Sequence, residues 1–221
     1  MAEHFEKPKA FTTAWFSYIW HYYKVHILCV LAAIFLTVIT VAEIINTKEY
    51  DMHINYIATN MISAKTEERF INAAEEHVSD ITGDNEVHLS LTQINFTPEA
   101  MQDGNQMMAL ENKLMTAFAS SDEMLYLFDE MMLRDVLSID ATEGVFIPVS
   151  SWCETNVQKD ELYVHENEAC AVKLSNSTLF QQLGVDTSDM YVAVRMNYKP
   201  EDETLNKILN NCKNLANALL Q

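Results

Sequence analysis

An uninterrupted apolar run near the amino terminus is the strongest pattern in the chain. Between residues 25 and 45 only His26 and Glu43 are ionisable, and both lie near the ends of the run. Twenty-one residues in an α-helix extend about 31 Å, close to the ~30 Å hydrocarbon core of a bilayer. The pattern therefore predicts a transmembrane helix at residues 25–45. A buried core helix is the alternative, but such helices seldom run this long without a polar face.

Aromatic residues crowd the segment that precedes this run. Seven of the 14 residues from 11 to 24 are aromatic. Aromatic rings with a polar edge favour the headgroup level of a membrane, and their partly helical spacing fits an interfacial helix. Packing of these rings on the protein's own domain is the alternative. The predicted membrane-interface residues are Trp15, Tyr18, Trp20, Tyr22, Tyr23 and Lys24.

Lysines set the predicted orientation of the span. Three lysines precede it, and two follow it within about 20 residues. This bias favours a cytoplasmic amino terminus and an extracytoplasmic carboxyl-terminal domain. Cleavage as a signal peptide, after the small residues at 40–42, is the alternative. A bulky aromatic segment would then precede the apolar stretch, which is unusual for a signal peptide.

The chain accordingly divides into four predicted segments. They are a cytoplasmic tail and aromatic interfacial segment at 1–24, the transmembrane helix at 25–45, a linker at 46–51 and an extracytoplasmic domain at 52–221.

Strand and helix patterns alternate after the linker. The order strand 53–58, helix 64–78, strand 87–92 implies parallel pairing through right-handed crossovers. We therefore predict an α/β layered domain with a mostly parallel sheet. The other predicted elements are a helix at 98–118 with an interruption at Gly104, a strand at 124–128, a helix at 129–137, extended segments at 144–149 and 169–174, a helix at 175–183, a strand at 191–196 and a final helix from Pro200.

The net charge belongs to one part of the chain. The formal net charge is -18, yet residues 1–45 hold three lysines and three glutamates, so residues 46–221 carry all of it. Nucleic-acid binding needs a basic surface, so no nucleic-acid partner is expected. Apolar residues make up 49% of the chain, enough for a packed core.

Glycine is too scarce for the common nucleotide and hydrolase motifs. The chain has four glycines, 21, 40 and 40 residues apart. G-x-G-x-x-G, the Walker A loop and the G-x-S-x-G elbow all need more closely spaced glycines. We therefore predict no cofactor, no catalytic residue from these motifs, and a protein that is not an enzyme.

Three segments of the domain resemble bacterial extracellular solute-binding proteins. Residues 114–128 are similar to that family's helix ending in small residues and leading into a strand at the ligand cleft, and residues 144–149 and 163–197 resemble its crossover and return segments. The architecture of one span and a small domain is similar to membrane proteins of Gram-positive bacteria. The resemblance implies an α/β fold and a solute ligand. Because such proteins usually have two lobes and this domain is long enough for about one, no binding residue is carried over.

Histidines and acids offer weak candidate sites. Residues 165–169 begin like H-E-x-x-H, but Ala169 replaces the second histidine, so the zinc-protease motif fails. His53 and His88 lie on neighbouring predicted strands and could face each other, but surface positions account for them equally well. No metal site is predicted. The acidic pairs at 122–123, 129–130 and 166/168 are interpreted as a solvated surface.

Cysteines give one candidate crosslink. The domain has Cys153, Cys170 and Cys212, and no C-x-x-C motif. An extracytoplasmic domain permits a disulfide between Cys153 and Cys170. Cys212 lies on the apolar stripe of the last predicted helix, as expected for a core residue.

The sequence predicts location and architecture better than chemistry. The leading hypothesis is a single-pass membrane protein with an extracytoplasmic interaction or sensing domain, accessory to a transport or envelope complex. Its partners would be the lipid bilayer and another protein of the membrane or envelope. One alternative is the solute-binding protein of a transporter, whose partner is a small solute. The other is an envelope hydrolase, whose dispersed Ser-His-Asp site would leave no local motif.

Overall fold

The chain forms two compact units, Met1–Lys48 and Glu49–Gln221. The structure is a computed structural model, and it describes residues 11–46, 49–139, 144–175 and 177–221.

The described part of the first unit contains one long helix, α1, Thr13–Asn46, of 34 residues. The aromatic segment and the apolar run are therefore continuous. Within α1, residues Tyr23–Ala42 have a mean hydropathy of 2.7, and none of this stretch is buried. The hydroxyls of Thr37 and Thr40 donate to the carbonyls of Ala33 and Leu36, at 2.9 and 3.0 Å. The helix thus satisfies its own polar side chains.

The described residues of the second unit form six β-strands and six further α-helices. The strands are β1 Met52–Ala58, β2 Leu89–Asn95, β3 Glu123–Asp129, β4 Leu162–His165, β5 Glu168–Lys173 and β6 Met190–Val194. The helices are α2 Ala64–Ala74, α3 Pro98–Gln102, α4 Gly104–Ala119, α5 Glu130–Leu137, α6 Thr178–Leu183 and α7 Glu203–Leu219.

The six strands form one mixed sheet in the order β2-β1-β3-β6-β5-β4. β1 pairs in parallel with β2 and β3, whereas the β3–β6, β6–β5 and β5–β4 pairs are antiparallel. The α/β class is confirmed, but the prediction of a mostly parallel sheet is not. The crossover pattern that implied parallel pairing holds only for the first three strands.

A hairpin forms one edge of the sheet. β4 and β5 are joined by Glu166 and Asn167, whose φ angles are 48° and 70°. Two successive positive φ angles are typical of a type I′ turn, which matches the twist of paired strands. β4 is absent from the elements predicted from the sequence. The predicted extended segment 144–149 contributes only a bridge between Phe146 and Arg195 at the end of β6.

Burial follows the position of each strand in the sheet. β1, β3 and β6 lie inside the sheet, and nearly every residue in them is buried. The edge strand β2 alternates more, with Leu89 and Leu91 buried and Ser90 and Thr92 half-buried. The apolar runs of the sequence therefore mark strands covered on both faces, as expected for this kind of sheet.

Helices cover both faces of the sheet and make three layers. On one face Phe70 of α2, Phe180 of α6 and Leu215 of α7 pack against alternate residues of the central strands. On the other face Leu114 of α4 and Leu133 of α5 pack against the remaining alternate residues. Two separate apolar cores result, one on each side of the sheet.

Side-chain caps fix where the helices begin. Ser63, Thr97, Asp103, Asp129 and Asp202 each accept a hydrogen bond from a backbone N–H in the first turn of the helix that follows. Asp103 has an extended backbone and splits the predicted helix at 98–118 into α3 and α4. Such caps typically contribute about 1 kcal/mol each.

Two asparagines of α7 hold loops against the fold. Asn211 accepts from the Ser79 N–H at 3.1 Å and donates to the Ser79 carbonyl at 2.8 Å. Asn217 donates to the Trp152 carbonyl and accepts from the Glu154 N–H, both at 2.8 Å. Each amide supplies a donor and an acceptor to loop backbone that has no strand partner.

Asp51 organises the loop before β2. Its side chain is 1% exposed. One carboxylate oxygen accepts from the N–H groups of Ile81 and Thr82, at 2.6 and 3.0 Å, and the other accepts from His88 N–H at 2.8 Å. A buried carboxylate is tolerated only when it is hydrogen-bonded in this way.

We expect Asp51→Asn to lower the free energy of unfolding by about 2–3 kcal/mol. An amide nitrogen cannot accept a hydrogen bond, so at least one buried N–H loses its partner. Denaturant unfolding of the full chain in detergent, followed by circular dichroism, measures the change. The exposed Asp160→Asn should stay within about 0.5 kcal/mol. Equal midpoints for the two variants would show that the Asp51 hydrogen bonds contribute nothing.

Candidate functional site

The predicted interface residues lie in the first 12 residues of α1, Thr13 to Lys24. The rings of Phe11 and Trp15 are 5.3 Å apart, and those of Trp15 and Phe16 are 5.1 Å apart and edge-on. Trp15 is half-buried, whereas Trp20, Tyr23 and Lys24 are exposed. The side chains of Tyr18 and Tyr22 lie outside those that the structure describes. The aromatic residues between 11 and 23, here called the aromatic collar, therefore lead directly into the apolar stretch.

The apolar stretch of α1 is exposed around its whole circumference. Ten large aliphatic and aromatic side chains between Val25 and Val41 are each 38–65% exposed. Soluble domains rarely expose a continuous apolar surface of this extent. A helix that is apolar all round needs either a protein core or lipid around it, and this stretch has no buried residue.

The carboxyl ends of three parallel strands form the most organised polar edge of the domain. Asp129, at the end of β3, is buried, and one of its carboxylate oxygens accepts from Thr59 N–H at 2.6 Å and Thr59 Oγ1 at 2.7 Å. The other oxygen accepts from Met132 N–H at 2.8 Å. Asp129 therefore ties the end of β1 to the start of α5. The prediction that the pair 129–130 belongs to a solvated acidic surface is wrong for Asp129, which is 2% exposed.

The partly buried hydroxyl of Tyr56, on β1, lies near this edge and is uncharged. Tyr56 donates its hydroxyl to Asn60 Oδ1 at 2.8 Å. Burial raises the pKa of Tyr56 to about 12, and the nearby charges of Asp129 and Asp189 add to the shift. The hydroxyl therefore stays protonated at physiological pH and fixes the Asn60 amide at the surface.

Flexible side chains flank the same edge. Met61 lies beyond the end of β1 and Met131 lies in the first turn of α5, and both are exposed. Ligands of α/β sheets commonly bind outside the carboxyl ends of parallel strands. Methionine thioethers adapt to differently shaped partners, and amides bind polar groups. The exposed amide and thioether side chains of this edge can therefore contact a ligand. The carboxylate of Asp129 is already occupied by its hydrogen bonds to Thr59 and Met132.

The two candidate histidines contact different acids. His53 Nε2 is 3.7 Å from Asp122 Oδ2, whereas His88 Nε2 is 3.4 Å from Glu86 and 3.8 Å from Asp84. Among the residues that the structure describes, no three His, Cys, Asp or Glu side chains are grouped to hold a metal ion.

The remaining acidic pairs have separate surroundings. Glu123 accepts a hydrogen bond from the buried Asn55 amide at 2.9 Å. Asp122 accepts from the hydroxyl of Ser120. Glu166 lies in the type I′ turn, and Glu168 begins β5. The structure therefore distributes these acids over loops and strand ends instead of gathering them.

The structure holds Cys153 and Cys170 as free thiols, so the permitted disulfide is not formed in it. Cys170 Sγ contacts the Tyr163 carbonyl at 3.7 Å, and Cys153 Sγ contacts the Thr155 carbonyl at 3.5 Å. Burial raises the pKa of all three domain thiols, that of Cys170 to about 11. Cys212 is fully buried in the core, where the sequence placed it.

A buried arginine is the main functional group that sequence reasoning missed. Arg195 is almost fully buried, and its Nη1 donates to the carbonyls of Ala117 and Ser120, at the end of α4, and of Glu123. A cation at the carboxyl end of a helix is stabilised by the helix dipole. Arg195 therefore anchors α4 to the sheet. In the sequence it lies within the predicted strand 191–196, and no feature there marks it as buried.

Comparison with known proteins identifies no relative. No family model, no curated protein and no solved structure matches the chain. The similarity of residues 114–128, 144–149 and 163–197 to solute-binding proteins therefore stays a prediction.

We expect Cys153 to be the first domain thiol that alkylating agents modify. In a Cys29→Ser background, native protein at pH 7 should take up one iodoacetamide at Cys153, and unfolding should expose the other two. Because only the thiolate reacts, Cys170 should become reactive as the pH rises toward 11. Intact-mass spectrometry follows the adducts, with Cys153→Ser as the control. Equally fast modification of Cys170 and Cys153 at pH 7 would contradict the burial of Cys170.

We expect the α1 tryptophans to lie at headgroup depth. The chain has three tryptophans, so Trp152→Phe leaves Trp15 and Trp20 as the only emitters. In bilayers, lipids brominated near the headgroup should quench this emission more than lipids brominated near the end of the acyl chain. The matched variant Trp15→Phe/Trp20→Phe, which retains Trp152, should be quenched weakly by both. Stronger quenching by the deep label would contradict an interfacial position.

Proposed function

We propose that this chain is a single-pass membrane protein whose acidic α/β domain acts as an interaction or sensing module on the extracytoplasmic side. The domain would serve as an accessory to a transport or envelope complex. The observation that carries the proposal is the 20-residue stretch of α1 with a mean hydropathy of 2.7 and no buried residue.

Two further observations support this proposal. Trp15 and Trp20 come before the 20-residue apolar stretch, and Tyr23 and Lys24 are its first two residues, in the order that anchors a helix at a headgroup region. The domain also forms its own compact unit with two cores, so it can present surfaces to a partner without help from α1.

Solute binding for a transporter is the second candidate function. The edge formed by β1, β2 and β3 favours it, because three parallel strands end together beside Asn60, Met61 and Met131. An edge of this kind is where α/β sheets commonly hold ligands. The sequence resemblance points to the same function.

Single engineered thiols test the proposed topology. In a Cys29→Ser/Cys153→Ser background, Thr13→Cys places an exposed thiol at the start of α1, and Asn214→Cys places one on the exposed side of α7. A membrane-impermeant maleimide should label Asn214→Cys on intact cells, whereas Thr13→Cys should be labelled only after lysis. Labelling of both variants only after lysis, or of Thr13→Cys alone on intact cells, would overturn the topology.

The mass of the mature chain separates an anchor from a signal sequence. An anchored chain keeps its full mass of 25.3 kDa and stays with the membrane in alkaline carbonate. Cleavage after residue 42 would remove about a fifth of the residues and release the domain, which would overturn the single-pass proposal.

A further inference from the structure

Exposed methionines gather at the carboxyl ends of the three parallel strands. Met61, Met101 and Met131 are 68%, 38% and 47% exposed. Each lies within six residues of the end of a different strand, Met61 after β1, Met101 after β2 and Met131 after β3. Because β2 and β3 both pair in parallel with β1 up to its last residues, the three methionines come to the same end of the sheet. This set of three residues is here called the methionine edge.

The backbone that carries these methionines is held in place. Ile62, next to Met61, donates its N–H to Gln93 Oε1 of β2 at 3.2 Å, and Gln93 Nε2 donates to the Ile62 carbonyl at 3.3 Å. The side chains of Thr97 and Asp129 cap α3 and α5, the helices that carry the other two methionines. Adaptable thioether side chains therefore stand on a fixed backbone, which lowers the cost of ordering on binding.

The two apolar cores do not account for these methionines. The buried stripe of α5 begins at Met132 and leaves Met131 on the water side. In α3 the buried residue is Ala100, whereas Met101 is exposed. Single exposed apolar residues are common, but these three follow neighbouring strands. They place an apolar surface where α/β sheets commonly hold ligands.

Acidic residues surround the methionine edge. Seven acids and two basic residues occupy the segments beyond the three strands and the segment before β6, which are 59–67, 96–103, 130–135 and 186–189. The Nε of Arg134, one of the two basic residues, lies 3.7 Å from Asp135 Oδ1. Burial raises the pKa of Tyr191, and the nearby charges of Glu130 and Asp189 add to the shift, so these two acids lie close to one another's strand ends. The surroundings of the methionines therefore favour a positively charged partner.

The same acids decide between possible occupants. A second copy of the chain would bring acids against acids, and anionic lipid headgroups would be repelled in the same way. A basic segment would instead be attracted. An amphipathic helix lays its apolar side chains on an adaptable apolar surface, and thioethers provide such a surface. Charge and side-chain type thus favour the same class of partner.

We propose that the methionine edge docks a basic amphipathic helix of a partner protein. Apolar side chains of that helix contact Met61, Met101 and Met131, and its lysines or arginines pair with carboxylates such as those of Glu130 and Asp189. The inference rests on the proposed function, because it names the kind of partner that an interaction domain of this chain binds.

Methyl NMR on the full chain in nanodiscs of zwitterionic lipid tests the proposal. The probe is a synthetic peptide of about five helical turns, with leucines along one face and lysines on the other. It should shift the methyl signals of Met61, Met101 and Met131 in a saturable way. Met115 and Met196 are the matched controls, because they are 46% and 38% exposed and Met196 follows β6, which ends beside the start of β3. Their signals should stay in place.

Substitution of the methionines gives the second readout. The triple variant Met61→Gln/Met101→Gln/Met131→Gln should bind the leucine–lysine peptide at least tenfold more weakly. The matched variant Met115→Gln/Met196→Gln should bind it as the unmodified chain does. Because all five positions are exposed, both variants should unfold at the temperature of the unmodified chain.

Substitution of the acids tests the charge of the partner. Glu130→Gln/Asp189→Asn should weaken binding several-fold and make it less sensitive to salt, because two attractive charges are removed. The variant Asp160→Asn/Glu201→Gln, at exposed positions elsewhere in the domain, should bind normally. A peptide with glutamate in place of lysine should not bind, and one with serine in place of leucine should bind at least tenfold more weakly.

Four results would overturn the proposal. They are equal binding by the two methionine variants, equal binding of the glutamate or serine peptide, movement of the methionine-edge signals with protein concentration alone, and movement of these signals on adding anionic lipid alone. The third result would assign the surface to a second copy and the fourth to a bilayer. Purified protein is used, so a failed topology experiment leaves these outcomes unaffected.

Discussion

The fold depends on β1 being hydrogen-bonded along both edges and buried on both faces. β2 and β3 pair with it in parallel, and the two apolar cores meet it from opposite sides. Parallel neighbours need crossover helices, which brings α2 to one face and α4 to the other. The same pairing aligns the carboxyl ends of three strands, so Thr59 and Asp129 come close enough to bond. The parallel pairing of β1 with β2 and β3 therefore determines both the layered architecture and the polar edge.

The local sequence predicted those elements whose own apolar pattern reflects how they are buried. β3 and β6 are continuous apolar runs because helices or loops cover both faces, and both were found within two residues. β4 was missed because four residues with little alternation become a strand only through the turn at Glu166 and Asn167. Strand direction beyond β3 and the burial of Asp129 and Arg195 depend on contacts between distant segments. No local pattern encodes such contacts.

The polar groups of α1 and those of the α/β domain are satisfied in different ways. In α1, backbone hydrogen bonds and two threonine hydroxyls satisfy the polar groups internally, and apolar side chains occupy the outside. In the domain, apolar groups are inside, and buried polar groups such as Asp51, Asn211 and Arg195 bind backbone atoms of loops and helix ends. The first pattern suits lipid and the second suits water. This difference is the physical basis for assigning them to different surroundings.

The place of β6 in the sheet sets an order for assembly. β1, β2 and β3 are consecutive along the chain, and β2 and β3 both pair with β1, so the three strands can associate once residue 129 has been synthesised. β5 and β4 are separated from β3 by β6, which occupies residues 190–194. The antiparallel half can therefore join β3 only after residue 194 has been synthesised. Until then one edge of β3, apolar and seven residues long, stays open to incorrect strand partners, so a chaperone that shields it during synthesis would raise the yield of folded protein.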